Sequence, residues 1–345
     1  MNTIGACGYI GTGSSAVIDL LREFDETQIM NFTEFVLSYI TDGLEDLDYH
    51  INSYRKYMSS VVAVFRFKKM IKCQMKLNKA TNNKLKKISD EFIDNLNCIC
   101  WHGEGLAGEY YYRYLPSIPR KVMKKAVHLL KCKRLINLYS RLLFPKFEMT
   151  VFPDNFDDIA KNYIFRVLNS MGRDVKKITV LEQPFEGCNP VKSFKYFDNP
   201  KAIVVDRDPR DHYLNCKCFY RPRGIGYQVP CDNANDYIKY YRLIHKSPNF
   251  IRERNDILFI NFESMVYDYE NTILKITDFC NISNHNYKGV YFKPQRSVNN
   301  TQLFKKFTEF QKDIELISYE LNEYLFPFDN YAPVRGIGGM FDVER

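Results

Sequence analysis

The sequence predicts an α/β protein: a parallel β-sheet flanked by helices, with a large helical insertion after the first strand–helix unit. Three observations predict it. The chain opens on a short apolar run, a glycine-rich loop and an apolar helix, "GACGYIGTGSSAVIDLL" from Gly5 to Leu21. Three more aliphatic runs appear in the second half, with little polar alternation, as strands buried on both faces require. Between these two regions the chain reads as helix after helix.

The first strand covers residues 3–9, and the first helix ends near Phe24. From Phe32 to Phe144, "FTEFVLSYI", "VVAVFRFKKMIKCQMKL", "LKKISDEFIDNLNCICWH" and "RKVMKKAVHLLKCKRLINLYSRLLF" repeat apolar residues at three- and four-residue spacing. No proline precedes Pro116. Residues 30–147 are therefore expected to form the insertion, within a single domain spanning residues 1–345. Strands follow at "KITVLEQP" (177–184), "KAIVVDRDP" (201–209) and "DILFINFES" (256–264). "FDDIAKNYIFRVLNSMG", "NDYIKYYRLIHK" and "YENTILKITDFC" read as the helices among them. Strand alternating with helix builds a parallel sheet through right-handed crossovers, and the first strand must join it.

Bulk composition narrows the partners. The 345 residues are 45% hydrophobic and 26% charged, ordinary for a folded chain. Phe (26) and Tyr (25) far outnumber the single Trp, which suits a Phe/Tyr-rich core. A net charge of +8 favours anionic partners. The basic run from Arg66 to Lys87 is read as a solvated helix face, and no zinc-finger or helix-turn-helix pattern appears, so nucleic acid is not expected. The ten cysteines are scattered; Cys98/Cys100 and Cys216/Cys218 are C-x-C pairs, not metal knuckles, so no metal is expected. No apolar run is long enough to span a membrane, and "MNTIGACGYIG" is too glycine-rich for a leader. A reduced cytoplasmic protein is expected, with at most a transient contact with a membrane surface.

A glycine loop at a helix N-terminus is an anion site. Residues 8–15 read G-x-x-x-x-G-S-S, one residue short of the nucleoside triphosphatase P-loop: Ser14 stands where that motif has its phosphate-neutralising lysine. ATP or GTP hydrolysis is therefore not expected. The same loop resembles that of short-chain NAD(P)-dependent reductases and epimerases, and Tyr213 with Lys217 makes their Y-x-x-x-K pair. Against that, a dinucleotide fold needs a second strand after the first helix, and "FDETQIMNFTEFVLSYI" reads as helical.

A second motif, "NPKAIVVDRDPRDHYLN" (199–215), runs a strand into Arg207, Asp-Pro-Arg-Asp and a helix. Here the chain resembles the sulfotransferases that use 3′-phosphoadenosine 5′-phosphosulfate (PAPS), whose second signature is R-x-P-x-D-x-x-x-S. Arg207, Pro209 and Asp211 match; Asn215 takes the place of the serine. The family's loop, K-[ST]-G-[ST]-[ST], matches at Thr12, Gly13, Ser14 and Ser15, with Gly11 in the lysine's place. "ILFINFESMVYDYENTILKITDFCNI" (257–282) and "PQRSVNNTQLF" (294–304) resemble later stretches of bacterial members, in the right order.

The resemblance implies a P-loop-like sheet and transfer of a sulfuryl group from PAPS to a hydroxyl or amine acceptor. It implies that Gly11, Thr12, Gly13, Ser14 and Ser15 hold the 5′-phosphosulfate, and that Arg207 and Asn215 hold the 3′-phosphate, with Arg296 nearby. The ordinary alternative for Arg207 is an ion pair with Asp208 or Asp211. Lys192, Lys195 and Arg296 are candidates to supply the missing lysine's charge. A general base is also needed. Glu182 ends its strand near where the soluble branch of the family carries a histidine, and would face the cleft if that strand lay beside the one ending at Arg207. His102 and Glu104 in "WHGEG" are the second candidates. His212 is expected to turn away from the site. In "CFYRPRGIGYQVP" (218–230), Arg221 and Arg223 would suit an acidic saccharide and the aromatics a sugar face or sterol ring. The expected acceptor is a small molecule: a saccharide or glycan precursor, or a sterol-like alcohol. A degenerate, non-catalytic nucleotide-binding scaffold is the alternative outside enzymes, and oligomeric state is not legible.

Overall fold

The computed structural model describes residues 2–30, 34–53, 57–96, 99–102, 125, 146–150, 153–222, 228–282 and 289–340. The chain divides into two compact units, Met1–Val36 with Gly172–Arg345, and Leu37–Met171. Strand β1 (Thr3–Gly8) is buried along nearly its whole length, as its non-alternating sequence demands, and helix α1 (Ser14–Leu21) follows the glycine loop. Then comes a short strand, β2 (Thr27–Ile29), where the sequence reads as helix. Thr27 explains the difference: its hydroxyl lies 2.6 Å from the Leu21 carbonyl and 2.9 Å from that of Phe24, closing α1 and releasing the chain into an extended path. The stretch "FTEFVLSYI" is likewise not helical where it is described.

The second unit holds α2 (Leu44–Asp48), α3 (Tyr57–Cys73), α4 (Met75–Ala80), α5 (Leu85–Asn95), β3 (Ile99–His102), β4 (Lys146–Met149) and α6 (Phe156–Ser170). Asn82 and Asn83 take left-handed φ values of 52° and 60° and reverse the chain after α4. Thr81 then accepts the Leu85 N–H at 3.1 Å to start α5. Phe67, Phe92 and Tyr163 form the unit's aromatic core, with the Phe92 and Tyr163 rings stacked at 4.6 Å. The helix expected through Trp101 stops at Asn95. Ile99–His102 instead pairs antiparallel with β4, and Trp101 meets Phe147 edge-on at 5.4 Å. A cross-strand aromatic pair outweighs the three- and four-residue spacing there.

The first unit resumes with β5 (Ile178–Glu182), α7 (Val191–Phe194), β6 (Pro200–Asp206), α8 (Pro209–Leu214), a π-helical turn (Asn215–Tyr220), α9 (Ala234–Ile244), β7 (Ile257–Asn261), α10 (Phe262–Tyr267), α11 (Tyr269–Cys280), α12 (Pro294–Ser297) and α13 (Gln311–Glu320). Five strands form one sheet in the order β2-β5-β1-β6-β7, every pair parallel. This is the expected α/β architecture. One core joins Ile4, Ala6, Val180, Ile203 and Val205 of the sheet to Val17, Leu20 and Leu21 of α1 and to Met265 and Ile276. A second core gathers Tyr213, Tyr237 and Tyr241 with Leu303, Ile314 and Ile317.

The strand order alters the grounds for setting the dinucleotide reading aside. A second strand does exist, but β2 pairs with β5 and not with β1. In a dinucleotide-binding sheet the first two strands are neighbours.

Candidate active site

All five strands are parallel, so their carboxyl ends share one edge of the sheet. From β1 the chain passes to β2 and β5 on one side, then crosses to β6 and β7 on the other. The carboxyl ends of β1 and β6 thus flank the topological switch point, where ligands bind in open α/β sheets. Gly8 ends β1, and Arg207 follows β6 directly.

The glycine loop is held from within and from outside. The Thr12 hydroxyl lies 2.7 Å from the Val205 carbonyl and 2.8 Å from that of Tyr9, and accepts the Tyr9 N–H at 3.0 Å. Thr12 therefore ties the loop to β6, and its hydroxyl faces the protein. Gly11 (φ 82°) and Gly13 (φ 104°) turn the loop into α1. Gly13 caps that helix without a side chain. The N–H groups of Gly13, Ser14 and Ser15 have no acceptor among the described residues, which is the arrangement that receives an anion. Ser15 is exposed and Ser14 buried.

From the Arg207 motif, two side chains reach this loop. Asn215 donates through Nδ2 to the Gly11 carbonyl at 3.3 Å, and His212 places Nε2 2.6 Å from the Ile10 carbonyl. His212 thus faces the loop, contrary to expectation. One further turn of α8 carries it across, and the Tyr237 hydroxyl lies 2.8 Å from its Nδ1. Burial lowers the His212 pKa to about 4, so the ring is neutral and Nε2 donates its proton to Ile10.

Gly11 leaves no space for the lysine of the sulfotransferase loop. A Cβ there would lie 2.7 Å from the Tyr220 ring, at a φ that L-residues avoid. Gly11→Lys is expected to destabilise the protein by about 1–3 kcal/mol and not to strengthen anion binding. Urea unfolding and pyrophosphate titration check this; a Lys variant as stable as the parent and binding more tightly would refute it.

Arg207 is 4% exposed. Its Nη2 donates to the Asn300 carbonyl and its guanidinium lies 5.1 Å over the Phe262 ring, while Nε is buried without a partner. The alternative ion pair, with Asp208 or Asp211, does not form. Asp208 caps α8, accepting the Arg210 N–H at 3.0 Å, and engages the Arg210 guanidinium at 2.9 and 2.7 Å. Asp211 accepts the N–H groups of Gln302 (2.6 Å) and Leu303 (2.7 Å), bringing the 294–304 stretch to the motif. Burial, then the Asp208 charge, pushes Asp211 up to about 7. Glu263, fully buried beside them, is also raised, first by burial. Asn215 Oδ1 and Glu263 Oε2 join Arg207 Nε as buried polar atoms without partners among the described residues, and buried polar atoms are satisfied by a water, an ion or a ligand where the protein does not satisfy them.

The remaining candidates are dispersed. Glu182 ends β5, but β1 lies between β5 and β6, so Glu182 is not beside Arg207's strand. It is half-buried; burial raises its pKa, and Glu34 and Asp19 add to the effect. Lys192 lies on α7 and Lys195 follows it, both exposed; Arg296 is half-buried in α12. His102 is exposed in β3 of the second unit, and Glu104 and Arg223 lie outside the described residues. Arg221 is paired with Asp232, which weakens the case for an acidic saccharide. Tyr213 and Lys217 form a structural network: Lys217 Nζ is 2.6 Å from the Tyr213 hydroxyl, which donates to Asp313 at 2.6 Å. Burial raises the Tyr213 pKa, the reverse of what a catalytic tyrosine needs.

Sequence reasoning missed Gln183. Following β5, it has a left-handed φ of 51°, accepts the Gly8 N–H at 3.3 Å and donates to Ser14 Oγ at 2.9 Å. A polar residue between a strand end and Pro184 was the available signal.

No protein-family model matches the chain, and no curated protein does. Among solved structures, it is similar to the sulfotransferase domain of the Synechococcus PCC 7002 olefin synthase, with 13% identity, 85% of this chain and 79% of that one covered, and a TM-score of 0.37. It is also similar to the sulfotransferase domain of the curacin biosynthetic pathway (14% identity, 94% and 99% covered, TM-score 0.38). A third similar structure is sulfotransferase STF9 from Mycobacterium avium (11%, 97% and 78%, 0.38). Likeness at this level assigns no chemistry; that follows from the site residues.

Proposed function

We propose that the unit formed by Met1–Val36 and Gly172–Arg345 binds PAPS and transfers its sulfuryl group to an acceptor hydroxyl or amine. One observation carries the reading: the glycine loop and the Arg207 motif meet across the β1/β6 switch point, joined by the Asn215–Gly11 hydrogen bond. Two anion sites on neighbouring strands suit a nucleotide with phosphate at both ends of its ribose. The free N–H groups of Gly13, Ser14 and Ser15 receive the 5′ end, with the two serine hydroxyls. Arg207 receives the 3′-phosphate through the donor Nε that has no partner among the described residues, and Asn215 offers the second hydrogen of the Nδ2 that holds Gly11.

In the reaction an acceptor oxygen forms its bond to sulfur as the bond from sulfur to the bridging phosphate oxygen breaks. The bisphosphate leaves, and the acceptor proton passes to a base. We assign that base to Glu182, which ends β5 on the same carboxyl edge of the sheet as the glycine loop, one strand from β1 although not beside β6. Backbone N–H groups supply the loop's charge stabilisation in place of a lysine. The acceptor class is a saccharide or glycan precursor, or a sterol-like alcohol. Gly11, with no space for a lysine, favours a second reading: a scaffold that binds the nucleotide without turnover.

Thermal unfolding with 3′-phosphoadenosine 5′-phosphate (PAP) tests the first claim, with adenosine 5′-phosphate, ATP and NADPH as controls. PAP at 100 times its dissociation constant is expected to raise the midpoint by about 4 °C, and the controls much less. A shift with NADPH alone, or none with PAP, refutes the reading. Binding without transfer from labelled PAPS to any acceptor in a broad screen supports the scaffold.

A further inference from the structure

Gln183 holds a conformation that side chains other than glycine seldom adopt, and it bridges two points of the glycine loop. Its amide orientation follows from its partners. The Gly8 N–H can only donate, so the amide oxygen faces Gly8 and the NH2 group faces Ser14 Oγ. Ser14 Oγ accepts that bond and keeps its own hydrogen. Ser14 is 7% exposed, and its hydroxyl hydrogen has no acceptor among the described residues. On the same edge, Asn215 Oδ1 and Arg207 Nε are buried without partners.

We infer that Gln183 is the positioning residue of this loop: by donating to Ser14 it reserves the Ser14 hydroxyl as a donor to the 5′ anion. The inference rests on the donor reading above. Gln183 also follows Glu182 directly, and its N–H donates to the Ala6 carbonyl at 2.8 Å, so one residue sets the register of loop against base.

The chemistry predicts an unusual order of variants. In Gln183→Glu, the oxygen facing Ser14 can only accept, so Ser14 turns its hydrogen inward and a negative charge stands beside the anion. Gln183→Ala leaves Ser14 free to rotate. A residue that merely fills space would tolerate glutamate better than alanine; a positioning residue reverses this. PAP titrations of wild type, Gln183→Ala, Gln183→Glu, Ser14→Ala and the Ser14→Ala/Gln183→Ala double variant decide. Relative to wild type, the dissociation constant is expected to rise about tenfold for each alanine variant, about 100-fold for glutamate, and still only about tenfold for the double variant. Glutamate binding at least as tightly as alanine, or a double variant near the product of the singles, overturns the inference. If Gln183→Glu loses its unliganded fold, the alanine cycle decides alone. Wild type that fails to bind PAP overturns the donor reading itself, whereas wild-type binding with the order reversed overturns only the role of Gln183.

Discussion

Asp211→Ala is expected to cost about 2–6 kcal/mol, because it leaves the half-buried Gln302 N–H and the buried Leu303 N–H without acceptors. Asp211 is fully buried, and its two bonds anchor the 302–303 backbone to α8. A domain's whole stability is about 5–15 kcal/mol, so the variant should lie near its folding threshold. The loss also has a sign in pH. The folded carboxyl titrates at about 7 against an ordinary 3.8, so the folded state binds a proton more tightly than the unfolded one. That contribution is complete below 3.8 and is lost as pH rises through about 7. The substitution should therefore cost most in acid and less in alkali. His212, depressed from 6.5 to about 4, works in the opposite direction, its contribution present above 6.5 and lost as pH falls through 4. Urea unfolding of both proteins at pH 5 and pH 8 reads the difference. A cost under 1 kcal/mol at pH 5, or one that grows with pH, would count against this account.

Arg207→Ala is expected to weaken PAP about 100-fold, the loss of charge-assisted hydrogen bonds to a phosphate. Arg207→Lys should recover little, since an ammonium can neither form a planar two-point contact nor keep the guanidinium's place over Phe262. Binding of pyrophosphate, which needs only the glycine loop, should fall far less in both variants. That contrast separates a ligand contact from general damage, because a misfolded site would lose both ligands together. Equal losses of PAP and pyrophosphate would remove Arg207 from the 3′-phosphate site. Arg207 also faces Asp211 and Glu263, so its removal should raise both carboxyl pKa values further.

Much of the first unit could be read from residues alone. A strand buried on both faces must be aliphatic, and a helix needs apolar residues every third or fourth position; β1, β5, β6 and β7 and helices α1, α9 and α11 follow those rules. The glycine loop was legible for the same local reason. Positive φ at Gly11 and Gly13 is a property of single residues, visible as glycine. Arg207, Pro209 and Asp211 were legible as a motif because capping and chain direction at the end of β6 depend on neighbours within a few positions.

What only the tertiary structure decided involves partners distant in sequence. β2 and β3 are strands because β5 and β4 offer hydrogen bonds and aromatic contact, which override local helical spacing. Strand order separated β2 from β1 and placed β1 between Glu182 and Arg207. Asp208 and Asp211 left Arg207 because Arg210 and the Gln302–Leu303 backbone satisfy them better. His212 and Gln183 reach the loop from 202 and 169 positions away, at Ile10 and Ser14. Local sequence thus determined the backbone geometry that can receive an anion. Which side chains aim hydrogens at it depended on the packing of β1 between β5 and β6, because a hydrogen bond is set by distance in space and no spacing along the chain records it.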